Sequence, residues 1–123
     1  MSVAVDLEGL TERIAEFGGA AFLVTTGDDG PHVVSVAIAQ DGDRLVTQAG
    51  RRSRANLAAR PAVTLLWPAA PGGAYSLLVD GTAAAAGDDE GAVAIVPASA
   101  VLHRVADATG TGPTCLPVST PPD

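Results

Sequence analysis

Residues 50–67 have the sequence GRRSRANLAARPAVTLLW, and this stretch decides the fold. Its first part predicts a short helix, which Pro61 ends because proline disrupts a helix interior. The apolar run AVTLLW follows at once and predicts a buried strand. The first turn of the predicted helix contains three arginines: Arg51, Arg52 and Arg54.

The arginine-rich start of this helix is the candidate binding site. The first backbone N–H groups of a helix have no partner within the helix, so they favour an anion. All seven basic residues of the chain are arginines, against fourteen acidic residues, so nearly half of the positive charge lies in one turn. The sequence therefore predicts a phosphate site at Arg51, Arg52 and Ser53. The alternative is a solvated arginine patch in which Ser53 only caps the helix.

Length and charge limit the possible functions. A chain of 123 residues forms one domain. Its formal net charge of −7 argues against a nucleic-acid partner, because phosphates repel an acidic surface. The single cysteine, Cys115, excludes an internal disulfide and a multi-cysteine metal site. The N-terminal residues lack a signal-peptide pattern and no apolar run matches a membrane span, so we expect a cytoplasmic protein without a membrane partner.

The pattern of apolar residues predicts a strand-rich domain. Helical spacing predicts a helix over residues 6–17, and two Asp-Gly turns separate three strands of an antiparallel meander. Pro97 is expected to bend the last strand, because proline cannot donate to a sheet ladder. Six strands are predicted, over residues 20–26, 31–39, 44–48, 62–67, 75–85 and 92–104.

Six strands with few helices between them favour a small barrel over a doubly wound sheet. We expect this domain to cover residues 1–106. Residues 107–123 are rich in Thr, Gly, Pro and Ser, a composition that cannot offset the entropy of ordering the chain, so we expect a disordered tail.

Three segments carry a resemblance to a known family: PHVVSVAI, LVTQAGRRSRANLAARPAVTLLWP and YSLLVDGTA. In this order they resemble the split-barrel flavin-binding superfamily named after pyridoxamine 5′-phosphate oxidase, over about residues 7–104. The resemblance implies a mainly β fold: a six-stranded antiparallel split β-barrel of the FMN-binding type, with short flanking helices. It also implies a homodimer that binds flavin mononucleotide (FMN), or in some branches a deazaflavin or haem, between two subunits.

The same resemblance implies which residues bind the cofactor. The end of the third strand and the turn after it hold the phosphate in the family. Ser35 lies where family members line the isoalloxazine ring, and Ser76 lies where the oxidases place a glutamine near the flavin. The cofactor-binding residues implied are Ser35, Thr47, Gln48, Arg51, Arg52, Ser53 and Ser76.

Two departures from the oxidases argue against vitamin B6 oxidation. Residues 31–39 lack the Arg and Lys with which those enzymes grip phosphate, and a Pro-rich tail replaces their substrate-binding C-terminal extension. His32 and His103 have no metal-binding spacing, and Trp67 is expected to pack in the core or at a subunit edge. No catalytic side chain or metal site is predicted.

The expected function is that of a flavin-dependent oxidoreductase acting on an unidentified small molecule, with the cofactor supplying the chemistry. One alternative is a deazaflavin-dependent reductase. The other is a non-catalytic protein that binds or stores a flavin or haem.

Overall fold

The computed structural model of the chain describes residues 2–87 and 90–104. The strands are β1 (Ser2–Val5), β2 (Ala20–Gly27), β3 (Gly30–Ala37), β4 (Ala39–Asp41), β5 (Arg44–Gln48), β6 (Ala62–Trp67), β7 (Ser76–Ala85) and β8 (Ala92–His103). The helices are α1 (Leu10–Phe17), preceded by a 3₁₀ turn (Leu7–Gly9), and α2 (Arg51–Ala59). The tail predicted over residues 107–123 lies outside the described residues.

All eight strands belong to one antiparallel sheet, in the order β3-β2-β6-β7-β8-β5-β4. Strand β1 pairs with residues 100–103 of β8. Residues 92–95, on the same edge of β8, pair with β5. The sheet curls until its two ends approach each other, because β3 leads through Ile38 into β4, which pairs with β5. The mainly β, antiparallel split-barrel fold is confirmed.

One side-chain hydrogen bond marks the seam where the curled sheet meets itself. The Thr47 hydroxyl on β5 donates to the Ala37 carbonyl oxygen on β3 at 2.5 Å. Thr47 is only 7% exposed, so the bond is shielded from water. The seam therefore fixes the end of β5, the strand that leads into α2.

The structure adds two features that the sequence did not predict. Strand β1 is four residues long, and it forms only by pairing with β8 at the other end of the chain. The strand predicted over residues 31–39 is interrupted at Ile38, whose N–H donates to the Gly19 carbonyl oxygen at 2.7 Å. Both features depend on contacts between distant segments, which a local pattern does not contain.

The core lies inside the curled sheet and is filled by alternate strand residues. Trp67, at the end of β6, is fully buried, and its Nε1 donates to the Gly18 carbonyl oxygen at 3.0 Å. This bond ties the end of α1 to the barrel, while Leu10 and Ile14 bury the inner face of that helix. The packing role predicted for Trp67 is confirmed.

The outer face of the sheet carries a row of large apolar side chains. In the strand register Phe22, Leu66, Leu78 and Val101 lie side by side across β2, β6, β7 and β8. Phe22 is 36% exposed, and the other three are half-buried. We call these four residues the outer apolar row. A contiguous apolar surface of this kind is typical of an interaction face.

Gly81 allows the irregular pairing between β7 and β8. The register shifts at this residue, which lies opposite Pro97, and a Cβ atom there would lie 2.5 Å from the Val96 carbonyl oxygen. We expect Gly81→Ala to lower the free energy of unfolding in urea by about 1–3 kcal/mol, as for other overpacked sites. Gly9→Ala is the control, because a Cβ there meets nothing within 4 Å. Equal stability of the two variants would contradict this account of the bulge.

The seam gives a second stability prediction. Thr47→Val keeps the β-branched shape but removes the bond to Ala37, so we expect a loss of about 0.5–1.5 kcal/mol in urea unfolding. Thr82→Val is the matched control, since Thr82 is exposed on β7 and makes no side-chain hydrogen bond within the described part of the chain. A Thr47→Val protein as stable as the control would show that the seam bond contributes nothing.

Candidate functional site

Two residues separate the end of β5 from the start of helix α2, which packs against β2 and β7. Its N-cap is Gly50 in an extended conformation, without a side-chain cap. Ser53 is therefore the third helical residue, and the alternative in which Ser53 caps the helix is wrong. The free N–H groups of the first turn lie directly beyond the end of β5, as the sequence predicted.

Arg51 and Arg52 are both exposed, and neither has a side-chain partner among the residues that the structure describes. The other five arginines each make an ion pair, a hydrogen bond or a ring contact: Arg13, Arg44, Arg54, Arg60 and Arg104. The two unpaired guanidinium groups stand at the start of α2, where the helix dipole also favours negative charge. This turn is therefore the part of the described surface best suited to an external anion.

Ser53 presents an unpaired hydroxyl in the same turn. The residue is 1% exposed, and its Oγ has no hydrogen-bond partner within residues 2–87 and 90–104. A helical serine often donates to the carbonyl four residues earlier, but here the Ala49 carbonyl accepts from Arg54 Nε at 3.0 Å. A buried hydroxyl without a partner costs free energy, so an acceptor atom in this turn would stabilise it.

A groove of about 520 Å³ lies beside the end of β5. Its walls include Ala37, Ala39 and Val46, which leave room for a flat apolar ring. Gln48 is exposed in this groove, whereas Thr47 is buried at the seam. Of the two predicted residues, the Gln48 side chain is therefore the more accessible to a ligand.

Ser35 and Ser76 lie outside the first turn of α2 (residues 51–54), which we call the arginine turn. Ser35 is exposed on the outer face of β3, opposite Phe22. Ser76 starts β7, six residues before Thr82, which pairs with Ala62 just after α2. At about 3.3 Å per residue, this spacing separates Ser76 from the α2 end of the sheet by roughly 20 Å. One chain thus brings together the predicted residues of β5 and α2, but not Ser76.

The sequence did not reveal the contacts that hold α2 in place. Asn56 Nδ2 donates to Thr25 Oγ1 on β2 at 3.1 Å, and Thr25 is fully buried. A Cβ atom on Gly27 would lie 2.9 Å from Asn56 Oδ1, so only glycine leaves room for the amide. Arg60 also pairs with Asp28 at 2.9 Å. No local signal links these residues, because about thirty positions separate each pair.

Two kinds of feature are missing from the described ranges. No cluster of three or more His, Cys, Asp or Glu side chains there is placed to hold a metal ion. No helix in that part of the chain has the length and apolar character needed to cross a membrane.

No protein-family model matches the chain. Two mycobacterial proteins are each 40% identical to it over 126 residues, which cover 89% of this chain and 86% of theirs. They are the uncharacterised proteins Mb0449c of Mycobacterium bovis and MT0457 of Mycobacterium tuberculosis.

Solved structures share the fold at low sequence identity. A Clostridium acetobutylicum protein of the pyridoxinephosphate oxidase family, related to general stress protein 26, has a TM-score of 0.64 at 15% identity, covering 81% of this chain and 91% of its own. A FAD-binding protein of Mesorhizobium loti has a TM-score of 0.63 at 16% identity, covering 83% and 96%. An F420 reductase has a TM-score of 0.58 at 19% identity, covering 72% and 94%. The chain belongs to the same family as the two mycobacterial proteins, and its fold is that of the pyridoxamine 5′-phosphate oxidase-like split-barrel superfamily.

Proposed function

We propose that this is a cytoplasmic protein that binds FMN at the first turn of α2 and acts as a flavin-dependent oxidoreductase on a small molecule. One observation carries the proposal: within the described part of the chain, Arg51 and Arg52 have no side-chain partner while every other arginine makes a contact. The flavin ring supplies hydride transfer when it is bound. The chain supplies an anchor for the phosphate, a groove for the ring and the orientation of one toward the other.

The donor set of the arginine turn fits a phosphate dianion. Guanidinium groups present planar pairs of N–H donors that match phosphate oxygens, and they stay charged at any physiological pH. The free N–H groups of the first turn and the buried Ser53 hydroxyl add neutral donors at the same place. Charge-assisted hydrogen bonds contribute about 1.5–3 kcal/mol each, enough for this turn to dominate the affinity for a phosphorylated ligand.

The groove beside β5 is where we propose that the ring lies. Its small side chains, such as Ala37 and Ala39, present a flat apolar wall, and Gln48 offers a polar group at the end nearest α2. The similarity in fold to a FAD-binding protein supports a flavin-type cofactor.

A deazaflavin-dependent reductase is the second candidate, and the similarity in fold to an F420 reductase supports it. A non-catalytic carrier of a flavin or haem is the third. The absorption spectrum of the purified protein separates these candidates, because flavin, deazaflavin and haem absorb at different wavelengths. Vitamin B6 oxidation is not proposed, since the chain lacks the oxidases' additional phosphate-gripping residues.

The proposed assembly is a homodimer joined through the outer apolar row. A two-fold axis would place this row against its own copy and remove both from water. The distance of Ser76 from α2 supports the same assembly, because only a second copy could bring a Ser76 side chain toward the arginine turn. The proposed flavin site would then lie between two subunits.

The phosphate anchor is tested by Arg52→Ala. We expect the substitution to weaken FMN binding at least about tenfold, because it removes charge-assisted bonds of about 1.5–3 kcal/mol each. Riboflavin carries no phosphate, so its affinity should change little. Fluorescence titration of both ligands measures the effect. Arg13→Ala is the control, since Arg13 pairs with Glu16 on α1. Equal losses for both ligands, or none, would rule out the proposed anchor.

The dimer is tested by light scattering at micromolar concentration, where we expect about twice the mass of one chain. Leu78→Glu places a carboxylate in the middle of the outer apolar row and should give a folded monomer, because burying that charge is costly. Ala15→Glu adds the same charge at an exposed position on α1 and should remain dimeric. A monomeric wild-type protein would overturn the proposed assembly.

A further inference from the structure

The strand register places His32 on the side of the sheet that faces α2. His32 lies directly opposite Thr25 in the pairing of β2 with β3. Directly opposed residues of an antiparallel pair project from the same face, with Cβ atoms about 4.5–5.5 Å apart. Thr25 is the residue that Asn56 of α2 bonds, at 3.1 Å. The imidazole of His32 therefore belongs to the surface on which α2 rests.

Arg52 lies on the same side of α2. It precedes Asn56 by four residues, and side chains at this spacing are neighbours on one helix face, about 5–6 Å apart at Cβ. Because Asn56 is fixed against Thr25, the face shared by Asn56 and Arg52 is turned toward β2, the strand that pairs with β3. His32 and Arg52 thus flank the same contact from the strand and the helix.

His32 is half-buried and makes no hydrogen bond or ion pair within the described segments. The other histidine, His103, bonds Ser2 at 3.2 Å and lies opposite Ser76, at the far end of the sheet from α2. An anion between the imidazole and the guanidinium would accept hydrogen bonds from both.

We propose that His32 is a second phosphate ligand of the site, contributing an N–H donor from β3 opposite Arg52 of α2. This inference rests on the proposed function and adds to it a residue outside the arginine turn. Strand β3 has no arginine or lysine. His32 is therefore the basic side chain that this strand can offer to a phosphate. The phosphate would then be held from two elements, which fixes its position better than one flexible side chain.

Binding measurements on position 32 test the proposal. His32→Phe keeps a planar ring but removes both ring nitrogens, so we expect FMN affinity to fall about tenfold while riboflavin affinity stays within about twofold. His32→Arg restores a permanent donor and should bind FMN at least as tightly as the wild type. Arg13→Ala is the control, since Arg13 pairs with Glu16 on α1, and it should leave both affinities unchanged. The FMN-to-riboflavin affinity ratio is the quantity compared.

A spectroscopic measurement on the wild-type protein keeps the test independent of any folding defect. The chain has two histidines, so their ring carbon-bound protons give two pairs of NMR signals, which His103→Gln assigns. Titration with FMN, or with inorganic phosphate, should shift the His32 signals. Riboflavin should shift the His32 signals much less.

The outcomes separate this inference from the function on which it rests. A wild-type protein that binds FMN and riboflavin equally would overturn the phosphate site as a whole. If Arg52→Ala loses the preference for FMN but His32→Phe keeps it, the phosphate site stands and the role of His32 is overturned. An unmoved His32 signal at saturating FMN would overturn it as well.

Discussion

The meeting of β3 and β5 at the seam is the contact on which the rest of the structure depends. The pairing of β4 with β5 and the bond from Thr47 to Ala37 turn a flat ribbon of strands into a curled sheet with an interior. Because only two residues separate β5 from α2, this closure also fixes where the helix begins. The contact between Asn56 and Thr25 then sets the rotation of the helix. The position of the arginine turn is thus a consequence of how the barrel closes.

A helix or strand can be predicted from the local sequence when its own residues carry the whole pattern that defines it. The apolar run of β6 and the arginine-rich start of α2 were both found in this way, with bounds matching the structure. Strand β1 and the break at Ile38 were missed because each depends on a backbone partner far away in sequence. The same division holds in the site. Arg51 and Arg52 could be predicted, whereas the face occupied by His32 follows only from the register of β2 and β3.

An acidic protein can hold an anion because local charge, and not net charge, determines binding at contact distance. The formal charge of −7 is spread over the surface, and salt screens its effect beyond about 8–10 Å. Nearby acids neutralise Arg13, Arg44 and Arg60. No acidic side chain pairs with Arg51 or Arg52 in the described ranges. Within the described residues, Arg51 and Arg52 therefore place two guanidinium charges without an acidic partner side by side at one helix start.

In the proposed site the phosphate anchor and the ring groove are separate, and this separation bears on how one fold binds different cofactors. FMN and FAD both carry phosphate, so an anchor at a helix start holds either of them through the same interaction. Discrimination between them must come from surfaces that the rest of the ligand reaches: the groove beside β5 and, in the proposed dimer, the facing subunit. The small side chains of Ala37 and Ala39 line that groove. Changes at the arginine turn should therefore alter affinity for all phosphorylated ligands alike, while changes in the groove should alter which of them is preferred.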